Sequence, residues 1–409
     1  MMELRQEARL TFKANLRDTR YGWLRLTPAY SVHLVEDILR ERPAERVLDP
    51  SCGTGTTALV CAERGIACDT TDINPFLLWL ARTKTRVYSA AARRAFVAKA
   101  ESVGRAIRRG ADAPWVPPLH RIERWWAPRP LAALGRAMAE IRRSEGASGD
   151  LLRVAFCRTM IAHANVSFGH QSMSFRAREE AREDEIAATW ARAVESIAAS
   201  AASPIRATAT PVHCDARDLR ALEHRYDLVV TSPPYPNRMS YIRELRPYMY
   251  WLGYLKDGRE AGELDWKAIG GTWGCATSNV AKWSSDARAP YRKLDAIVSA
   301  IAKRSDVLAR YVAKYFFDMT AHAESLFDVV APGGTVHYIV GNSKFYEVML
   351  PVEAIFAALF EAAGFADARF VAIRKRSSKK ELFEFVVSAR RPGARRGSSR
   401  TNGRAPLRA

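Results

Sequence analysis

Apolar and polar positions along the 409 residues change period several times, and each change marks an element. Val32, Val35, Ile38 and Leu39 recur at the three- and four-residue spacing of a helix with one buried face. Thr27-Pro28 ahead of them reads as an N-cap and a first helical position, and Pro43 ends the run. Val47-Leu48 is a short apolar strand that runs into Asp49-Pro50-Ser51-Cys52-Gly53-Thr54-Gly55-Thr56-Thr57. A helix over 58–64 is broken at Gly65, and a second strand over 67–71 ends in Asp72. Strand, glycine-rich turn, helix, strand and acid in that order make a βαβ unit of the Rossmann kind.

Residues 85–205 follow a different pattern. They are rich in Ala and Arg, with helical stretches interrupted by Pro114, Pro117, Pro118 and Pro128. This reads as a helical insertion separating two parts of one sheet, because strand signals resume over 209–214 and 227–231. Residues 237–330 are again mostly helical, with a Gly- and Trp-containing loop over 270–283. The last strands are predicted over 335–340, 369–373 and 382–387, with Pro332-Gly333-Gly334 as a turn before the first of them. The expected division is 1–84 and 206–389 as two parts of one α/β domain, 85–205 as the insertion, and 390–409 as a disordered Arg-, Gly- and Ser-rich tail. There is no internal repeat.

Composition narrows the class. At 48% apolar and 26% charged the chain is globular, and no run of eighteen apolar residues exists to span a membrane. The opening MMELRQEARLTFK is charged where a secretory signal would be apolar. The six cysteines are too sparse for a disulfide framework, and none forms a CxxC pair, so neither disulfides nor a metal is expected and a cytoplasmic compartment fits. Basic residues exceed acidic ones by 63 to 44, a net charge of +19. The stretch 390–409 contributes seven arginines and no acid, which leaves +12 on the first 389 residues. A surface that basic favours a polyanion, nucleic acid above all.

Two motifs carry chemistry. The first, Asp49-x-x-x-Gly53-x-Gly55, sits at a strand end and opens a helix, so a ligand can approach the backbone closely. A phosphate-binding Walker loop needs Lys where Thr56 stands, which disfavours ATP; Ala58 satisfies the dinucleotide spacing, so the glycines alone do not exclude NAD. Asp72, 17 residues after Gly55, is placed to accept hydrogen bonds from ribose hydroxyls. The second motif, Thr231-Ser232-Pro233-Pro234-Tyr235, follows the strand Asp227-Leu-Val-Val and lies at a carboxyl edge of the sheet. Its prolines fix the backbone, which gathers carbonyls and the Ser232 hydroxyl in one place, and Tyr235 offers a flat face to a base. Acceptors beside an aromatic ring suit an exocyclic amine.

Together these stretches resemble the S-adenosylmethionine-dependent amino-methyltransferases of DNA. Ser232 most resembles the cytosine-N4 branch, since adenine-N6 enzymes more often carry Asp or Asn there. The resemblance covers roughly residues 20–85 and 205–390. It implies an α/β fold, a Rossmann-like class I methyltransferase sheet with helices on both faces, here carrying the largely helical insertion. It implies S-adenosylmethionine as cofactor, double-stranded DNA as partner, and a cognate restriction endonuclease as a candidate partner in a restriction-modification pair. By this resemblance Ser232, Pro233, Pro234 and Tyr235 are catalytic. Gly53 and Gly55 pass under the cofactor, with Ser51 and Thr56 in the same loop. Asp49 orients its methionine end, Asp72 its ribose, and Asp215, in His213-Cys214-Asp215-Ala216-Arg217-Asp218-Leu219, its adenine amino group. Thr27-Pro28-Ala29-Tyr30 resembles the motif that closes over the cofactor, in place of the commoner Tyr-Pro-Ala-Lys. Ser51 stands where many members have Phe, and Phe76 is the candidate to supply that stacking contact. The stretch 237–255 resembles a helix of one subgroup.

The chemistry implied is direct transfer to a flipped-out base, with cytosine N4 gripped by the Ser232 side chain and the Pro233 carbonyl. Cytosine-C5 chemistry needs a Cys nucleophile, typically after Pro, and no cysteine here follows a proline. Candidate phosphate contacts are Arg238, Arg243 and Arg246 near the catalytic loop, and Arg374, Lys375 and Arg376, followed by Lys379 and Lys380. Target reading falls to 85–205, 237–330 or both. His163, Asn165, His170 and Gln171 can read base edges, though such residues are more often structural. Trp125-Trp126 is expected in a core. Competing readings are adenine N6, a base in structured RNA, and a binding-only regulator. RNA guanine-N2 enzymes usually carry Asp where Ser232 stands.

Overall fold

The computed structural model describes residues 7–16, 19–24, 30–110, 113, 115–167, 174–177, 179–237, 239–272, 275–376 and 381–393. Seven strands form the main sheet: β1 Arg46–Asp49, β2 Ala67–Asp72, β3 Ala209–His213, β4 Tyr226–Thr231, β5 Val330–Gly341, β6 Ala366–Lys375 and β7 Phe383–Arg390. Their order is β3-β2-β1-β4-β5-β7-β6. Pairing is parallel from β3 to β5, and β7 runs antiparallel to both β5 and β6. Val47, Leu48, Leu228, Val229 and Val230 are all buried, the near-continuous apolar run that a parallel strand covered on both faces requires. One face is covered by the helices Val32–Glu41 and Thr56–Arg64, the other by Asp306–Val329 and Val352–Ala362. This is the doubly wound, Rossmann-like sheet expected, with helices on both faces. Chain order reverses between β1 and β4, so the crevice beyond their carboxyl ends is where such a sheet binds ligands.

A third core lies beside the sheet. The helices Ala90–Arg108, Pro128–Ile141, Gly146–Ala162 and Glu183–Ser200 pack together there. Phe76 and Leu80 join it from the helix Pro75–Thr85, and Ile242, Leu245, Tyr248 and Trp251 from the helix Tyr241–Trp251. Trp125 and Trp126 stack on one another inside it, as a core assignment requires. The helical segment 237–330 is therefore shared, its first part in this core and its later helices against the sheet.

Arg20 fastens the third core to the sheet. It is 1% exposed. It donates to the carbonyls of Lys84 (2.8 Å) and Arg86 (2.6 Å), where the insertion leaves, and of Ser200, Ala201 (2.7 Å) and Ser203, where it returns. A guanidinium is suited to this because all its donors lie in one fixed plane.

Some local expectations change. The helix Val32–Glu41 is capped by Ser31, whose hydroxyl accepts from His33 N at 3.2 Å; Thr27 and Pro28 lie outside the described residues. Pro332-Gly333-Gly334 is not a turn before a strand but a bulge within β5. The register steps from Tyr226–Val330 to Leu228–Thr335, and Gly333 takes φ +85°. Gly333 N donates to Arg391 O and Arg391 N to Gly334 O, so the bulge stays hydrogen-bonded to the chain after β7. Arg390, placed in the tail by sequence, is the last residue of β7; residues 394–409 lie outside the described residues. Among the described residues no helix is long and apolar enough to cross a membrane, and no group of three His, Cys, Asp or Glu is arranged to hold a metal.

Candidate active site

A cleft of ≈ 350 Å³ opens at the carboxyl ends of the central strands, and both motifs line it. From the first come Ser51, Gly53 and Thr54, joined by Tyr30, Asp72 and Asp215. From the second come Ser232, Pro233, Pro234 and Tyr235. Ile73, Leu77 and Ile269 add apolar wall.

The glycine loop is fixed mostly by its own neighbourhood. Gly53 and Gly55 have φ +49° and +74°, conformations that favour glycine. Gly53 N donates to Asp72 at 3.3 Å. Gly55 does not line the cleft: a Cβ there would stand 3.1 Å from the Cα and Cβ of Ala81, so its role is the close passage of two helices. Thr56 is buried, its hydroxyl 3.0 Å from that of Thr54. Lys84, also buried, donates to Thr54 O (2.9 Å) and Tyr21 O (3.3 Å), and burial lowers its pKa to about 7.

The acids differ in what they face. Asp49 is fully buried and does not line the cleft. Its carboxylate accepts from Thr231 Oγ1 (2.6 Å), Tyr30 Oη (3.2 Å) and Ser51 N (3.2 Å). Burial outweighs these bonds and pushes its pKa up to about 7. Asp49 thus ties the end of β4 and Tyr30 to the loop; Tyr30 Oη also bonds Thr57 Oγ1. Asp72 does line the cleft, accepting from Asn74 N at 2.8 Å, and burial raises its pKa to about 6. Asp215 also lines it. Burial would raise its pKa, but the Arg217 guanidinium at 2.6 Å holds it below the usual carboxylate range. The helix Asp306–Val329 anchors that loop: Asp318 pairs with Arg217 at 3.2 Å, and His322 donates from Nδ1 to Ala216 O at 2.6 Å while its Nε2 accepts from Tyr338 Oη. Burial lowers the His322 pKa to about 4, which keeps the ring neutral for both bonds.

The second motif is held from far along the chain. Ser232 Oγ donates to Ile339 O at 3.0 Å and lies 3.3 Å from Tyr235 Oη. Tyr235 Oη donates to Glu384 at 3.0 Å, and Glu384 takes Arg374 Nε at 2.7 Å. Tyr315 Oη donates to Pro234 O at 2.6 Å, and Tyr235 N donates to Tyr241 Oη at 3.1 Å. Among the described residues no group bonds the Pro233 carbonyl. Because the hydroxyl hydrogen of Ser232 is engaged, its oxygen meets the cleft as an acceptor.

Glu384, Tyr241 and Tyr315 were not found from sequence. Glu384 is a lone acid in the apolar strand Phe383-Glu384-Phe385, a signal that marks an inward polar group; the tyrosines had none beyond membership of aromatic helices. Phe76 does not supply a stacking surface: it is buried in the third core against Tyr248, ring centroids 5.7 Å apart. Of the basic candidates, Arg374 and Arg376 line the cleft, whereas Arg243, Arg246 and Lys375 do not. Arg246 lies over the Trp125 ring at 5.0 Å, and burial lowers its pKa to about 10. Arg238, Lys379, Lys380, His170 and Gln171 lie outside the described residues. Asn165 is structural, accepting from Glu179 N and donating its backbone N–H to Trp125 O; His163, half-buried, lies outside the cleft lining.

Comparison with known proteins adds a partial relation. No family model matches the chain. Over 69 residues, 16% of this chain, it is 35% identical to the type II methyltransferase M.AvaI of Nostoc sp. strain PCC 7120, and equally to that of Anabaena variabilis. The matched stretch spans 14% of the length of these relatives. Among solved structures, TrmN from Thermus thermophilus aligns over 93% of this chain and 52% of its own, at TM-score 0.31 and 14% identity. The rRNA methyltransferase aviRa from Streptomyces viridochromogenes aligns over 93% and 96%, at 0.30 and 14%. Overlaps that loose define no closer kinship, and the relation to the type II methyltransferases is confined to the matched stretch.

Proposed function

We propose that the protein is an S-adenosylmethionine-dependent DNA methyltransferase acting on the exocyclic N4 amine of a flipped-out cytosine. The observation that carries this reading is Ser232, held by Ile339 as an acceptor in the same cleft as the glycine loop.

The residues fit the cofactor. Two carboxylates, Asp72 and Asp215, lie in the cleft at the ends of the successive strands β2 and β3, beside the apolar residues Ile73, Leu77 and Ile269. They would accept from the ribose hydroxyls and the adenine amine, and Gly53 gives the backbone room. When bound, S-adenosylmethionine supplies a methyl group on a sulfonium, an electrophile that needs no metal. The chain must then make a poor nucleophile competent. The N4 lone pair is delocalised into the ring. Two acceptors, Ser232 Oγ and the Pro233 carbonyl, would accept hydrogen bonds from both amine hydrogens and free the lone pair to point at the methyl group; one of those protons would then leave to solvent, since neither acceptor is a base. Tyr235 would hold the base by its ring. Positioning and fixed dipoles supply the gain. A duplex hides the amine, so the base must leave the stack. The basic surface and the match to type II methyltransferases support DNA as the substrate.

The test is nucleoside mass spectrometry on unmethylated duplex DNA incubated with protein and S-adenosylmethionine, beside a structured-RNA control. N4-methyldeoxycytidine is expected. N6-methyldeoxyadenosine would correct the base, a mark on RNA alone would correct the polymer, and no mark together with no cofactor binding would leave a binding-only regulator.

A further inference from the structure

Arg376 is a charge that the cleft leaves uncompensated. Its neighbour Arg374 is paired with Glu384. Among the described residues no carboxylate lies within ion-pair distance of Arg376, although it is half-buried and lines the cleft. Its backbone N–H donates to Leu382 O at 2.7 Å, and Nη1 donates to Asn342 O at 3.0 Å. The guanidinium lies 5.2 Å from the centroid of the Tyr235 ring. Gly341 makes this approach possible: a Cβ there would collide with the guanidinium and stand 3.1 Å from Tyr235 Cε2.

A guanidinium carries five N–H donors and Asn342 takes one. What would the others meet? If the base amine is anchored at Ser232, its remaining edge is presented beside Tyr235. In cytosine that edge continues with N3 and then O2, two adjacent acceptors. In adenine it continues with N1 and then a C–H. A planar fork satisfies both acceptors of the first and leaves a desolvated donor unpaired against the second, the situation in which hydrogen-bonding sites discriminate most sharply.

We infer that Arg376 is a specificity-determining residue that donates to N3 and O2 of the flipped base and so selects a 4-aminopyrimidine over adenine. The inference rests on the amino-methyltransferase reading above. Phosphate oxygens would satisfy the same donors. The base is favoured because Arg376 sits inside the cleft against Tyr235, the ring that would hold the base, whereas the phosphates of a duplex would lie outside the cleft.

The experiment compares wild type, Arg376→Ala and Arg376→Lys, the lysine keeping the charge and a donor for Asn342 should the alanine variant not fold. Cofactor affinity serves as the folding control. Rates of N4-methyldeoxycytidine and N6-methyldeoxyadenosine formation are read at saturating unmethylated DNA, with the salt dependence of DNA binding beside them. The expected result is a cytosine rate about tenfold lower or more, an adenine rate that does not fall, and an unchanged salt slope. An unchanged cytosine rate with a salt slope smaller by about one would make Arg376 a phosphate contact and overturn the inference. A wild-type protein that marks neither base refutes the function itself, and one that marks only adenine refutes the selection.

Discussion

The glycine-loop wall of the cleft and the wall formed by 231–235 are built by opposite means. The first is fixed mainly by partners within about one βαβ unit: Gly53 by Asp72, Thr54 by Lys84, Gly55 by its contact with Ala81. The second leans on side chains and carbonyls remote in sequence: Ile339, Glu384 and Tyr315 for its tail, Asp49 for its head. The wall assigned to the cofactor is thus a local structure that most of the sheet only supports. The wall assigned to the chemistry exists only once the whole sheet and the helix Asp306–Val329 are in place. Binding and catalysis should therefore be separable by mutation.

Ser232→Ala should show this most strongly. The methylation rate should fall by about 100-fold or more, with cofactor affinity, by titration, within about twofold of wild type. Full activity in this variant would remove the proposed chemistry. Next comes pH, acting on the acids of the first wall. Asp49 and Asp72 have folded pKa values raised to about 7 and about 6. Their contribution to stability is present below the unfolded carboxylate range and is lost as pH rises through 6 to 7. Urea unfolding of the ligand-free protein should lose on the order of 3–4 kcal/mol from this source between pH 5 and 7. Asp49→Asn should flatten that slope; an unchanged slope would mean that the buried carboxylate titrates normally.

Tyr315→Phe tests the second wall through its backbone. The Pro234 carbonyl would lose its donor, at a cost of about 1–3 kcal/mol in stability. The rate should drop by roughly tenfold from misplacement of the loop, while cofactor affinity holds. If affinity fell in step with rate, the two walls would be one unit. Lys84→Met makes the converse perturbation. Two carbonyls lose a partner, yet the cost of burying an ammonium disappears as well, so cofactor affinity should weaken by only about threefold to tenfold. The rate at saturating cofactor should stay near wild type.

The same contrast explains how much could be read from sequence. The strands near 47, 227 and 335 announce themselves by short, largely apolar runs ending in turn residues, those near 67 and 209 by their place after a helix, and the acids Asp72 and Asp215 stand where strands end. Those signals are local, and so is the structure they encode. Glu384 is 149 positions from the tyrosine it holds, and no spacing rule reaches that far. Arg246 shows what spacing does not reveal: a positive charge near a catalytic motif suggests a phosphate contact, and the structure adds a Trp125 ring beneath the guanidinium, a partnership set by how 85–205 folds back. The bulge at Gly333 escaped because a Pro-Gly-Gly run signals a turn equally well inside or outside a strand.

Arg20 gives the insertion an unusual relation to the rest of the chain. Its two ends meet on one guanidinium, so the sheet sees residues 85–205 as a closed handle whose ends hardly separate. Lengthening or replacing such a handle alters the loop-closure entropy only slowly, by about 0.6 kcal/mol per doubling of length. The sheet and its cleft would be nearly indifferent to what the handle carries. Two helices limit the exchange: Pro75–Thr85 gives the handle's core Phe76, Leu77 and Leu80, Tyr241–Trp251 gives it Ile242, Leu245, Tyr248 and Trp251, and Leu77, Ile242, Leu245 and Tyr248 also line the cleft. A transplantable cassette would therefore be 85–205 together with the core-facing side chains of both helices, grafted onto a chassis that keeps its own Arg20.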